Sequence, residues 1–516
     1  MKFSKSIVSA AIAIALTHST AALAADKADK PLSTSVLAQA ERAAGESNEL
    51  TISQTAAEQG GNELETTQLG TANLTEITTV GDNNATVATQ NGSDNAAFIT
   101  TTGNNNTQTY TQDGEVNGVA TELTGDANNI DVMQSGTGLL GINNEAINKI
   151  TGDQNNITVT QGAGGHWFYN LDMQGSQNTV SATQSGTWNE ATLESVQGDM
   201  NDIALDQNGF YNQFGLVSIE GSNNEIETRQ SGDYNEIQIE TLIGDNIEVA
   251  IEQSEGEDNT VSVFEISGSD NELSIDQEGS LNSFTSDMLV GADNEVVAQQ
   301  NGSENQAAAD VIGDDNQFMA LQDGNNNDVY LGVAGNNDVY LGVAGNNNEF
   351  SAMQLGDNNQ AHVANFNGNN NDVDVTQSGS ENEVLVQSSY PDVSLASNDN
   401  QIDIAQDGMG NGAAVTMSSV FDSSSNQVDI AQSGEFNAID IMLEGSRNML
   451  DITQSGDNNF VVGMDQGAFV INGDDNSLTV SQLGNGNLVQ GGIASSGQNI
   501  TVTQVGDNNV ATITQQ

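Results

Sequence analysis

Primary amides recur in this chain at a spacing that suits one kind of chemistry, mutual hydrogen bonding. Glutamine falls at Gln90, Gln112 and Gln134, 22 residues apart, and asparagine at Asn84, Asn95, Asn106, Asn117 and Asn128, every eleven. A carboxamide offers two donors and an acceptor with two lone pairs. Buried alone it is costly, but stacked on its own kind it bonds the amide above and below. The inward amide ladder expected on this basis comprises Asn84, Gln90, Asn95, Gln112, Gln134, Gln184, Gln207, Gln230, Gln277, Gln300, Gln377, Gln432, Gln454, Gln482 and Gln504. Gln68, Gln161, Gln253, Gln322, Gln354 and Gln406 fall in the same series.

The elements that position these amides can be read from the residues between them. In Asn128 to Gly136, the residues Asn128, Ile130, Val132 and Gln134 alternate with Asn129, Asp131, Met133 and Ser135. Period two is a strand with one face inward. The same alternation holds in Asn224 to Gly232, Asn271 to Gly279 and Asn426 to Gly434, with charge on the outward face. Gly81, Gly92, Gly103, Gly114, Gly125 and Gly136 stand eleven apart, and the first five open G-x-x-N turns. Glycine supplies positive φ there, and Asn or Asp tolerates it. Eleven residues therefore make one short strand and one tight turn, and two such halves make the 22–23 residue unit.

The predicted fold is all-β: a β-solenoid with two short strands per coil, about twenty coils and several loop insertions. Each half-repeat should lie over the equivalent half of the next coil. Antiparallel hairpins or a meander are the rival geometry, in which like residues would not meet. Scarce aromatics and one-signed charge argue for disorder, but strict alternation argues against it. Insertions are expected near Gly138 to Ala146, Gly162 to Leu171, Ser388 to Ser397, Met409 to Ser424 and Val461 to Val470. The decapeptide NDVYLGVAGN occurs twice in tandem, Asn327 to Asn336 and Asn337 to Asn346. Its length of ten is expected to strain the register.

Residues 1–24 read as a secretory signal, with Lys2 and Lys5, an apolar stretch from Ile7 to Leu16 and an Ala22-Leu23-Ala24 cleavage site. That stretch is too short to span a bilayer, so the protein is expected to be exported and not membrane-embedded. Residues 25–44 read as a leader, either disordered or a tag for an export apparatus, and residues 45–516 as the repeat domain. Without the two signal lysines the net charge of −64 becomes −66. That charge disfavours nucleic acid as a partner. With no cysteine, oxidising conditions outside the cell cannot staple the fold.

Other chemistry is thinly represented. His166 and His362 are isolated, which supports neither a metal site nor a catalytic base. His166-Trp167-Phe168-Tyr169, assigned to an insertion, reads as a packing knob before a sugar or partner site. Trp188 follows a turn and should be at least half exposed. GDNN at Gly81, Gly356, Gly456 and Gly506, and GDDN at Gly313 and Gly473, have calcium-like oxygen content but lack the calcium-solenoid repeat, so turn chemistry is the better reading. Nucleophile elbow, P-loop and HExxH are missing from the sequence. We expect no catalytic residue, no enzyme activity, no cofactor and no metal.

The motif N-x-φ-x-φ-x-Q-x-G-x-x-N, carried by Asn128-Ile130-Val132-Gln134-Gly136 and by Asn271-Leu273-Ile275-Gln277-Gly279-Asn282, resembles the curlin repeat of bacterial curli. The resemblance covers nearly all of 45–516, at about four times the usual repeat number and with unusual acidity. It implies a secreted subunit of extracellular amyloid fibres in a biofilm matrix, at the surface of a Gram-negative bacterium. It also implies self-assembly, a nucleator subunit and an outer-membrane secretion channel as partners. Asn509 to Gln516 read as an ordinary repeat strand, which suggests an open C-terminal edge for end-to-end stacking. The alternatives are a non-polymerising solenoid adhesin whose insertions bind, an ice- or mineral-binding solenoid, and a solenoid polysaccharide lyase. Mixed outward residues disfavour the ice binder, and narrow coils disfavour the lyase.

Overall fold

The computed structural model describes residues 47–56, 61–137, 144–162, 164–309, 311–388, 395–464 and 467–515. The signal and leader assignments lie outside the described residues. The fold is a parallel β-solenoid of about 19 turns, with no α-helix among the described residues. The chain divides into two compact units, before and after the Ser267–Gly268 step.

In the first unit, strands alternate between two sheets. Leu74–Val80, Ala96–Thr102 and Gly118–Thr124 follow one another in one sheet, and Ala85–Ser93, Thr107–Glu115 and Asn129–Thr137 in the other. All these pairings are parallel and one coil apart, so Gln90 faces Gln112, which faces Gln134, and Gly92 faces Gly114, which faces Gly136. Like meets like, which the antiparallel rival forbids. The inward row is apolar and closed: Ile130, Val132, Ile157, Val159, Val180 and Ile203 are at most 1% exposed. Each such side chain contributes about 1.5–3 kcal/mol on burial.

The corners explain the glycine period. Gly103 has φ 140° and the residue two later, Asn105, has φ 58°. Gly103 N–H donates to Val80 C=O at 2.9 Å, and Asn105 N–H to Asp82 C=O at 3.0 Å. A Cβ on Gly103 would fall 1.9 Å from the Gly125 carbonyl oxygen. Both the dihedral and the close approach of successive turns therefore demand glycine.

The second unit repeats this plan with one change. Gln300 and Gln322 lie in register on strands Glu295–Ser303 and Gln317–Asn325 of one sheet. The next strands of that sheet, Asn337–Ala344 and Asn359–Asn367, put Val343 and then Phe366 at the glutamine position. In the opposite sheet, Asp328–Ala334 carries Val333 there, and Glu349–Asp357 then brings in Gln354, followed by Gln377 and Gln406. The glutamine-bearing half has changed sheets. The two decapeptide copies supply one strand to each sheet, Asp328–Ala334 and Asn337–Ala344. Together with the half-coils around them they leave the alternation of glutamine and non-glutamine halves one half-coil out of step. The expected register strain is met in part: pairing continues through both copies, but the register shifts between Leu341 and Val343 of the second, which pair with Val363 and Phe366, and the alternation changes phase. The ladder residues expected to form one in-phase series do not do so in this unit.

The insertion expected at 162–171 needs correction, because half of it belongs to the strand Trp167–Gln174. Within 409–424 the strand Gly412–Met417 is followed by non-strand residues up to Ser423, and within 461–470 a loop separates Phe460–Val462 from Phe469–Asn472, both paired with Ala438–Glu444. Trp167 pairs with Glu145 and Glu190 in the neighbouring coils, so the aromatic cluster lies on a regular strand. Its extra residues form a bulge between Asn170 and Met173. Residues 138–143 and 389–394 lie outside the described residues.

Candidate functional site

The inward amides make three kinds of ladder. In the glutamine ladder, each Nε2 donates to the Oε1 one coil later. Gln90 to Gln112 and Gln112 to Gln134 are 2.9 Å, and Gln184 to Gln207 and Gln207 to Gln230 are 2.8 Å. In the second unit Gln277 reaches Gln300 at 2.8 Å and Gln300 reaches Gln322 at 2.9 Å. After the phase change, Gln377 reaches Gln406, Gln406 reaches Gln432, Gln454 reaches Gln482 and Gln482 reaches Gln504, each at 2.8 Å; Gln432 to Gln454 is 2.9 Å. Nε2 groups along the ladder also find main-chain carbonyls, as Gln134 does at Gly118 at 2.8 Å.

In the asparagine ladder, Oδ1 accepts from the next coil's backbone N–H and side-chain amide. Asn106 N–H and Nδ2 both reach Asn84 Oδ1 at 3.0 Å, while Asn84 Nδ2 donates to Gly103 C=O at 2.7 Å. Asn95 serves Asn117 likewise, at 3.0 and 2.9 Å. Because both halves of the repeat carry this asparagine, its ladders run unbroken through the phase change. Asn294, Asn316, Asn337 and Asn359 are joined at 2.8–3.0 Å by backbone N–H to Oδ1. The glutamine ladder breaks at the same place, and Gln354 Oε1 is buried with no donor.

A third ladder runs along the outside of the turns, and sequence reasoning did not anticipate it. Asp82 N–H donates to Asn104 Oδ1 at 2.9 Å, Asn104 N–H to Asp126 Oδ1 at 2.6 Å and Asp126 N–H to Asp153 Oδ1 at 2.7 Å. The Asp, Asn and Ser that follow the turn glycines thus cap the preceding coil. This is the structural use of the GDNN acids, and no group of three or more acidic, His or Cys side chains among the described residues is placed to hold a metal.

His166 occupies an asparagine position in a ladder. Its N–H donates to Asn144 Oδ1 at 2.9 Å, and its Nδ1 accepts from Asn189 N–H at 3.3 Å. Burial pushes its pKa down to about 4. Nearby, the outward face of the sheet is itself covered: Ala120, Ile147 and Tyr169 pack together with Phe98, Trp167 and Leu171. Glu145 is fully buried there, accepting from the Tyr169 hydroxyl at 3.3 Å, and burial pushes its pKa up to about 7. The outward face, charged on other strands, is apolar and covered at this point. Trp188 is half-buried and belongs to a turn-side cluster with Phe210, Tyr211 and Tyr234, ring centroids 5.2–6.1 Å apart.

Elsewhere the outer face stacks like charges. Asp374, Asp403, Asp429 and Asp451 follow one another in register. Partial burial, then the charges of Asp374 and Asp429, push Asp403 up to about 6. Few cations relieve this: Arg229 lies 4.0 Å from Asp206 and from Glu252, and Arg447 pairs with Asp475 at 2.8 Å, all exposed.

Asn509 Nδ2 keeps the ladder bond to Asn487 Oδ1 at 2.7 Å and also donates to its own Gly506 C=O at 3.1 Å. Val510 is 65% exposed. Leu50 and Ile52 point inward in register with Thr75 and Ile77 yet are 44% and 45% exposed.

A parallel solenoid sealed by in-register amide ladders is structural rather than enzymatic in type. Four segments, 175–209, 345–379, 424–456 and 473–516, match the curlin associated repeat. Each spans two successive ladder glutamines, such as Gln184 with Gln207 and Gln482 with Gln504. In these segments the chain is similar to proteins of the curlin-repeat family. A comparison with the curated proteins gives no match. No helix among the described residues is long and apolar enough to cross a membrane.

Proposed function

We propose that this protein is a secreted structural subunit that polymerises end to end, each copy continuing the cross-β ladders of the last, into extracellular curli-like fibres of a biofilm matrix. The reading rests on the in-register ladders, in which each glutamine Nε2 donates to the Oε1 one coil later, as Gln482 does to Gln504 at 2.8 Å, a pattern that a second copy can continue unchanged. An exposed strand edge is a template for another chain. A nucleator subunit, an outer-membrane secretion channel and a role in surface adhesion accompany this reading, by likeness to the curlin family. The test is to incubate the mature chain, from residue 25, and follow it by electron microscopy and fibre diffraction. Fibres with a meridional reflection near 4.8 Å are expected; a chain that stays monomeric at high concentration overturns the proposal. That outcome would favour a non-polymerising adhesin, for which the Trp188, Phe210, Tyr211 and Tyr234 cluster is the candidate binding surface.

A further inference from the structure

We propose that the second copy of the tandem decapeptide builds a binding site for an uncharged sugar, a pyranose ring seated on the outer face of one sheet beside Leu321 and Tyr340. The site lies on a sheet face and uses no strand edge, so it stands whether or not copies join.

The site begins with a missing side chain. On the outward face of strands Glu295–Ser303, Gln317–Asn325 and Asn337–Ala344, one row reads Gln299, Leu321 and Gly342. Beyond Gly342 the register shifts: Leu341 pairs with Val363 and Val343 with Phe366, so two residues, 364 and 365, lie opposite the single glycine. The row therefore ends in bare backbone beside a bulge. A depression of about 390 Å³ results, inside the ~300–1,000 Å³ range of small-molecule sites. In the first decapeptide copy the exposed Met353 stands in register beside the equivalent Gly332.

Tyr340 supplies one wall. A Cβ added to Gly342 would lie 3.2 Å from Tyr340 Cε1 and Oη, so the phenol lies along its own strand over the glycine. His362, in register in the following coil, braces the ring edge-on, with centroids 6.0 Å apart. The ring and Leu321 together make an apolar surface.

The rim is polar and uncommitted. Asn301 and Asp323 stand in register on adjacent strands. Asn91 and Asp113 hold the same positions of the repeat in the first unit, and there Asn91 Nδ2 donates to Asp113 Oδ1 at 3.0 Å. Asn301 and Asp323 make no such bond. Among the described residues, the side-chain polar groups of Gln299, Asn301, Asp323 and Tyr340 have no hydrogen-bond partner in the protein.

This chemistry selects the ligand. A pyranose has an apolar C–H face for the ring and Leu321, and a rim of hydroxyls for two amides, a carboxylate and a phenol. A peptide strand finds no main-chain partner here, because the backbone groups of a sheet face are already spent on the ladders. Acidic sugars are repelled: residues 268–516 contain one basic residue, Arg447, and it pairs with Asp475.

The test is calorimetric titration of the mature chain with three neutral oligomers, cellotetraose, maltotetraose and mannotetraose, beside a glucosamine tetramer and a galacturonate tetramer. At least one neutral oligomer should bind, and galacturonate should not. Tyr340→Ala should weaken binding by about tenfold. Gly342→Val, at a backbone φ outside the left-handed region, fills the depression and should abolish binding. Gly332→Val, the same change in the first copy, should leave affinity within about twofold, which separates loss of the site from loss of the fold. Four results would each overturn the proposal: no neutral oligomer binds; glucosamine binds and the neutral oligomers do not; Gly342→Val binds like wild type; or Gly332→Val loses as much affinity as Gly342→Val. Binding that survives Tyr340→Ala and is lost in Trp188→Ala overturns it too, moving the site to the turn-side aromatic cluster.

Discussion

Replacing one interior ladder glutamine with leucine should cost far less than the number of lost bonds suggests, and the cost should be local. In the wild-type chain Gln207 Oε1 accepts from Gln184 Nε2 at 2.8 Å. Its own Nε2 donates to Gln230 Oε1 at 2.8 Å, Glu190 C=O at 2.9 Å and Asn212 C=O at 3.3 Å. After Gln207→Leu, Gln184 Nε2 keeps two carbonyl acceptors, Trp167 at 3.0 Å and Asn189 at 3.2 Å. Gln230 Oε1 keeps none of its donors and is buried. One orphaned acceptor costs about 1–3 kcal/mol, and leucine is close in volume, so about 2 kcal/mol is expected. Gln354 Oε1 shows that the fold tolerates one such orphan. Long repeat arrays do not unfold as one unit, so the assay is amide hydrogen exchange resolved by peptide. Strands Asp202–Phe210 and Glu225–Asp233 should exchange roughly thirtyfold faster, with coils beyond Gln253 unchanged. Exchange within twofold of wild type, or acceleration spread evenly along the chain, would refute the view that the ladder works by nearest-neighbour satisfaction.

Other consequences follow from the same geometry. Val333→Gln gives Gln354 Oε1 a donor but leaves its own Oε1 facing Val311 in the preceding coil; it moves the break, so stability by denaturant titration should change by less than about 1 kcal/mol. Gly103→Ala puts Cβ 1.9 Å from Gly125 C=O at φ 140° and should cost about 3 kcal/mol or more, whereas Gly61→Ala, with nothing within 4 Å, should be close to neutral in the same titration. Glu145 has its pKa raised from 4.5 to about 7, so the stability it contributes is full below 4.5 and lost as pH rises through 7; Glu145→Gln should remove up to about 3 kcal/mol of that pH dependence. His166 has its pKa lowered from 6.5 to about 4, so its contribution is present above 6.5 and is lost as pH falls through 4. His166→Asn should therefore raise stability at pH 4 relative to pH 7, measured by thermal unfolding at the two pH values.

The sequence by itself determined the coil. An eleven-residue glycine period with period-two alternation leaves few other ways to bury Ile130 and Val132 while meeting the needs of Asn128 and Gln134. The reason is local: positive φ at Gly81 or Gly103 and strand alternation act within one half-repeat, and each half-repeat states them afresh. What the tertiary structure decided was which half lies on which. The tandem decapeptide looked like a length defect in the chain, yet in space it adds one strand to each sheet and moves the glutamines from one sheet to the other. The sequence period cannot carry that information, because Asn337 and Asn359 look the same in either phase while Gln322 and Gln354 end up on opposite sheets. The same holds for His166, which in the chain sits beside Trp167, Phe168 and Tyr169 and in the fold stands between Asn144 and Asn189. Stacking distance is about one strand spacing, whereas the residues it joins lie 21 or more apart along the chain, so only the fold brings them together.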